Sequence, residues 1–323
     1  MGVIDSISEG LAVVRRRPVI MLVPVLVDLF LWLSPQLSVE PLATRLAGTL
    51  ARSVTAGGVQ PSESAEVITQ ALLSLGQEAN LLGLLASSVV GIPSLLGGGI
   101  PDGMWRPAGS IEVSQLPVAL SLVVALGLVG LLIAAVYLTA VAAAVQGHKL
   151  GAPLVARKAW ANGRRLVLAA LALVAIAIGV AVPVSLLVSL MSLISPTVAA
   201  LALSLLGILA VWVGLWMLFY LFFVVDAMVL QEIGLQRAVL NSIIVVRSSF
   251  WSALGLIVLL NVLAAGFSIV WRWVAVSVPL GPALAMGGNT FIGSGLVAAS
   301  FVFYRDRYEA LMARVAGSGR RAL

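Results

Sequence analysis

Charged positions along this chain are sparse and clustered, and the apolar runs between them predict membrane-spanning helices. Residues 166–225 contain no charged side chain, a run far longer than the ~20 apolar residues that one crossing needs. Two helices must therefore share it. The break falls at residues 192–196 (SLISP), because proline supplies no backbone donor and the residue before it avoids the helical region. With residues 18–33, 117–145, 250–271 and 284–304 the predicted spans, counting 166–191 and 198–225, number six. The expected fold is all-α: a polytopic transmembrane helical bundle with amphipathic interfacial helices and a helical outer loop.

Composition agrees with this pattern. The chain of 323 residues is 61% hydrophobic and 10% charged, lacks cysteine and has a mean hydropathy of +1.13. A soluble domain carries roughly 25% charged residues, so a soluble enzyme and a disordered chain are both excluded. The absence of cysteine removes disulfides and thiolate metal sites. A net charge of +6 follows from the accumulation of Lys and Arg on cytoplasmic segments, and the lipid bilayer rather than nucleic acid is the expected partner. With six spans and both termini cytoplasmic, of the 19 Lys and Arg only Arg45, Arg52, Arg106 and Arg272 fall outside the cytoplasmic segments. Arg15, Arg16 and Arg17 before the first span resemble the start of a signal peptide, but no small-residue cleavage site follows. The segment reads as a retained anchor.

Residues 35–116 form one extracytoplasmic segment, too long for a structureless connection. Leu42, Leu46, Leu50 and Val54 recur every fourth residue, and Val67, Leu72 and Leu75 continue the theme after Pro61, which predicts amphipathic helices. The apolar run 79–96 is long enough to imitate a seventh helix. Counting it as a span would export the basic cluster of Lys149, Arg157, Lys158, Arg164 and Arg165, so it is expected to be interfacial or re-entrant. Backbone of that kind is tolerated only when buried against protein or facing water. The glycines of residues 97–109 are not followed by the Lys-Ser/Thr of a phosphate loop.

The approaches to the first and fifth spans align without a gap: AVVRRRPVIMLVPVL from Ala12 matches IVVRSSFWSALGLIV from Ile244, with a looser third copy from Leu154. Three units of a surface helix plus two spans are expected. Internal repeats of this kind occur in transporters among other membrane proteins. Residues 224–260 (VVDAMVLQEIGLQRAVLNSIIVVRSSFWSALGLIVLL) and the ending SFVFYRDRYEAL at residues 300–311 resemble the polytopic membrane domain of some bacterial glycerophosphodiester phosphodiesterases and related stand-alone six-span proteins. The resemblance covers residues 115–311 and implies the fold and a bacterial cytoplasmic membrane. It does not carry over the phosphodiesterase activity, since the chain has no room for a catalytic barrel.

Candidate chemistry is thin. The single histidine, His148, has no second His and no carboxylate near it in sequence, so neither a metal site nor a Ser-His pair assembles by spacing. No cofactor is expected. Asp28 lies about 16 Å past Arg17 at about 1.5 Å per residue, near the middle of a ~30 Å core. A carboxylate there must be paired, protonated or wetted. Asn261 falls at the equivalent depth of the fifth span, so an Asp28–Asn261 hydrogen bond is the first expectation and a proton or cation relay the second. Arg272, between Trp271 and Trp273, is expected to snorkel to headgroups. Asp226 and Glu232 are expected to pair with Arg237 or Arg247, and Gly207, Ala210 and Gly214 to seat a neighbouring helix.

Two functions follow. One is a structural, accessory or lipid-interacting six-helix protein, with a membrane-protein partner or a second copy of itself. The other is a transporter for a small or lipid-like solute, with Pro24, Pro183 and residues 287–295 breaking helices around Asp28. An enzyme ranks third.

Overall fold

The computed structural model describes residues 2–56, 63–86, 92–105, 107–148 and 151–319. It is an α-helical bundle with five helices long and apolar enough to cross a membrane. The first helix, α1 (Val3–Arg16), starts with the Asp5 carboxylate accepting the Gly2 N–H at 2.9 Å and ends in Arg15 and Arg16, charges that suit the two poles of the helix dipole. A 3-10 turn (Pro18–Met21) leads into α2 (Leu22–Leu33). After a short strand β1 (Gln36–Ser38) come α3 (Glu40–Ala56), α4 (Glu63–Glu78), a 3-10 helix (Leu81–Ala86) and β2 (Ser110–Glu112). The long helices follow: α5 (Leu116–Val145), α6 (Ala152–Ile194) and α7 (Pro196–Tyr220). Then α8 (Val224–Gln231) and α9 (Leu235–Ser248) precede α10 (Phe250–Ser277) and α11 (Gly281–Gly319).

The SLISP break forms where expected. Ser195 is extended and its hydroxyl accepts the Val198 N–H at 3.4 Å, capping α7 as Pro196 opens it. Elsewhere the helices run further than the apolar pattern alone implies. The basic stretch from Ala152 is continuous with its span, so the third copy of the surface-helix motif lacks a break. Residues beyond Tyr304 prolong α11 to Gly319. Pro24 sits in the first turn of α2, where a missing donor costs nothing, and α6 and α11 run unbroken through Pro183 and residues 287–295. None of these positions breaks a helix around Asp28.

The first apolar helix is short, about 18 Å of α-helix at about 1.5 Å per residue, yet the chain around it reaches both ends of α5. Arg17 donates to the carbonyls of Gly147 and His148 just past the end of α5, and Ser38 accepts the Val113 N–H just before its start. Strands β1 and β2 pair in parallel, Leu37 opposite Ile111, and so clasp the two ends of the 35–116 segment. Helices α3 and α4 form there as predicted. Their contact is made by Gly76 on Ala43, with Ala43 and Ala47 buried, while Leu46 and Val67 are exposed. The buried stripe on α3 is thus one residue from the leucine stripe; the side chains of Leu50, Val54 and Leu75 lie outside the described residues.

Helix α11 is the hub and is mostly buried. It packs on α1, α2, α5, α8, α9 and α10, and α1 approaches so closely that a Cβ at Gly10 would overlap the backbone of Gly295 and Ala299. Helices α1 and α9 have equal length and bury corresponding positions: Ser6, Gly10, Val13 and Val14 against Ala238, Ser242, Val245 and Val246. Their ends match too. The N–H of Arg17 reaches the carbonyls of Val13 and Val14, and that of Ser249 reaches those of Val245 and Val246.

Candidate functional site: a buried latch and a lateral chamber

The described parts of the apolar run, 79–86 and 92–96, pack into the bundle. Its 3-10 helix crosses α5 at Gly130, the middle of that helix, where a Cβ would strike the Leu84 carbonyl; Pro93 meets α11 at Gly293 in the same way. A non-helical segment at this depth needs partners for its backbone donors. Asp28 supplies them. Its Oδ1 accepts the Ser94 hydroxyl at 2.5 Å and the Leu96 N–H at 3.2 Å, and its Oδ2 accepts the Leu95 N–H at 3.0 Å. Ser94 Oγ in turn accepts the Gly97 N–H at 2.8 Å, and Arg272 donates to the Gly99 carbonyl at 2.7 Å. The described parts of the run pack against α2, α5 and α11; residues 87–91 lie outside the described residues.

This arrangement corrects three expectations. Asp28 does not bond Asn261, whose amide donates to the Ile257 carbonyl of its own helix at 2.7 Å. The repeat matched the depths of the two residues, but α2 faces the inserted loop, which supplies nearer donors. Arg272 turns onto the folded-in loop, where the Gly99 carbonyl accepts its guanidinium N–H. Gly207 and Gly214 have nothing near the position of a Cβ, so they seat no neighbouring helix within the chain.

The α6–α7 hairpin rests on α5 and stands off from α10 and α11, leaving a laterally open chamber of about 1400 Å³, several of whose lining side chains on α6 and α7 are exposed. Its walls are apolar: Leu166, Ala169 and Ile176 on α6, Val213 and Met217 on α7, Leu260 and Ala264 on α10, Leu296 and Val297 on α11, and Ile92 and Pro93 of the inserted loop. Polar groups are few. Asn261 lies on the wall, and at the end nearest α8 and α9 stand Asp226, Ser300 and Arg247. Asp28 is not part of the lining. Asp226 sits in the first turn of α8, favourable for a negative charge, and is 5% exposed. It faces the Ser300 hydroxyl, while its Oδ2 has no hydrogen-bond partner. Neither Arg237 nor Arg247 forms an ion pair with Asp226 or Glu232 among the described residues. Glu232 pairs instead with Lys158 at 2.7 Å, because the uninterrupted α6 carries Lys158 back to α8.

His148 shares a pocket of about 30 Å³ with Glu232, Lys158 and Asn162. The sequence separates His148 from every carboxylate, and the fold brings one beside it. That volume holds a water or so, not a substrate, and Lys158 already engages the carboxylate. Among the described residues no group of three His, Asp or Glu side chains is placed to hold a metal ion. Residues the sequence did not single out include Asn162, which donates to Thr139 at 3.0 Å between α6 and α5, and Tyr137, which donates to Ser294 at 3.1 Å between α5 and α11. Their signal is a hydrogen-bonding side chain inside an apolar span.

No family model, curated protein or solved structure matches the chain.

Proposed function

We propose that this chain is a lipid-interacting membrane protein that holds one amphiphile in the chamber between the α6–α7 hairpin and α10–α11. The chamber's size and lining carry the reading. At about 1400 Å³ it exceeds the ~300–1,000 Å³ of ordinary ligand pockets. Along α6 it extends from Leu166 to Ile176, about 15 Å at about 1.5 Å per residue, which is one leaflet of a ~30 Å hydrocarbon core. An apolar cavity of that length with polar groups gathered at one end suits a chain-bearing amphiphile.

The proposal includes six crossings in a bacterial cytoplasmic membrane with both termini cytoplasmic. Five long helices and the contacts of residues 17–38 with both ends of α5 support it. It includes an internal repeat, supported by the matched burial of α1 and α9, and kinship with the membrane domain named above. In that orientation the polar end of the chamber lies at the cytoplasmic leaflet. A second reading is passage of a lipid-like solute. The observation favouring it is that Ile92 and Pro93 of the inserted loop reach the chamber, where their movement would open or close it.

Native mass spectrometry of the detergent-purified chain tests the holding of an amphiphile. The wild type is expected to retain one adduct of phospholipid mass, and Ala169→Trp, which sets an indole across the chamber, to retain less of it with the melting temperature unchanged. Equal adducts on both proteins would overturn the proposal.

A further inference from the structure

We infer that the chamber selects a zwitterionic, primary-amine phospholipid, the ammonium bound by Asp226 and the phosphate by Arg247; this rests on the lipid-holding reading above. Asp226 is buried, is among the residues lining the chamber, and has one carboxyl oxygen, itself buried, with no hydrogen-bond partner. A buried acceptor left unmet is costly, and a ligand that donates to it recovers that cost. Arg247 lies in the last turn of α9, is exposed, and lines the same end of the chamber without an ion pair to Asp226. A carboxyl group on α8 and a guanidinium on α9 both border the chamber, whose other lining residues are mostly apolar.

Charge complementarity narrows the occupant. An anionic lipid without an amine satisfies Arg247 but brings no ammonium to Asp226 to offset its phosphate, and such a mismatch disfavours the wrong partner. A lipid without phosphate leaves Arg247 unused. A trimethylated ammonium carries the right charge but has no N–H to give Asp226 Oδ2. A primary ammonium has three donors, and its phosphate matches the guanidinium, which pairs with phosphate oxygens through parallel N–H groups. The Ser300 hydroxyl beside Asp226 adds a further polar contact for the same headgroup.

The test compares lipids with identical acyl chains on the full-length protein by native mass spectrometry: phosphatidylethanolamine, phosphatidylcholine, phosphatidylglycerol and diacylglycerol. Phosphatidylethanolamine is expected to bind at least about tenfold more tightly than phosphatidylcholine or phosphatidylglycerol, a factor that one charge-assisted hydrogen bond supplies. Asp226→Asn should reduce that preference to under about threefold. Arg247→Gln, at an exposed position, should reduce but not abolish the advantage of phosphatidylethanolamine over diacylglycerol, because the ammonium contact with Asp226 remains. Equal binding of the three phospholipids by the wild type, or preference for phosphatidylglycerol, would overturn the headgroup assignment while leaving the chamber reading intact. Binding of none of the four lipids would overturn both.

Discussion

The Asp28 carboxylate accepts the backbone N–H of Leu95 at 3.0 Å, so a charge in the middle of the first apolar helix holds the backbone of a loop inserted from the outer segment. With Ser94 and Leu96 it has three donors, and Asp28 has no exposed surface. Asp28→Asn keeps the shape but turns one acceptor into a donor facing donors. A loss of about 2–4 kcal/mol is expected, seen as a lower melting temperature in detergent. In the cysteine-free chain Asp28→Cys should resist membrane-impermeant thiol reagents. Rapid labelling in a folded protein would contradict the latch and favour a water-filled path.

Gly293 and Pro93 meet where the loop touches α11. Gly293→Leu should cost at least about 1–3 kcal/mol by overpacking and push the loop away. Gly207→Ala is the control, because that position is open and replacing glycine in a helix gains about 0.5–1 kcal/mol. Thermal unfolding of the two variants should move in opposite directions.

Arg272→Ala removes the donor to the Gly99 carbonyl but leaves Asp28 in place. The expected outcome is a fully assembled helical bundle with faster limited proteolysis between residues 97 and 105. Unchanged cleavage would mean that Arg272 does not hold this segment.

The Lys158–Glu232 pair is more than a third exposed on both sides, and such pairs contribute about 0–1 kcal/mol. Lys158→Gln should therefore shift the melting temperature by little, in contrast to Asp28→Asn.

The helical membrane class, the SLISP hairpin and the presence of α3 and α4 were legible because each has a one-dimensional signal: an apolar run, a proline, a four-residue period. The matching ends of α1 and α9 were legible because Val13-Val14-Arg15 and Val245-Val246-Arg247 align, and the same valines accept the terminal N–H groups in both helices. The partner of Asp28 was not legible. Its donors are mostly backbone N–H groups more than sixty residues away, and a backbone donor leaves no mark on residue identity. The chamber was hidden for a related reason: Ala169 and Leu173 look like any lipid-facing residues until the standoff of α6 from α10 is known. In sequence Arg272 reads as a headgroup contact and Glu232 as the partner of a nearby Arg, whereas an inserted loop and an uninterrupted 43-residue helix bring distant partners closer.

The most direct measurement is photo-crosslinking with a phospholipid carrying a photoactivatable acyl chain, added to cells, followed by purification in detergent and peptide mapping. Crosslinks are expected on the chamber side of α6 at the half-buried Ala169 and Ala172 and on α10 at the buried Leu260, and they should weaken in Ala169→Trp. Crosslinks concentrated instead on the outward positions Leu168, Leu171 and Val174, and unaffected by that substitution, would contradict a lipid-holding chamber.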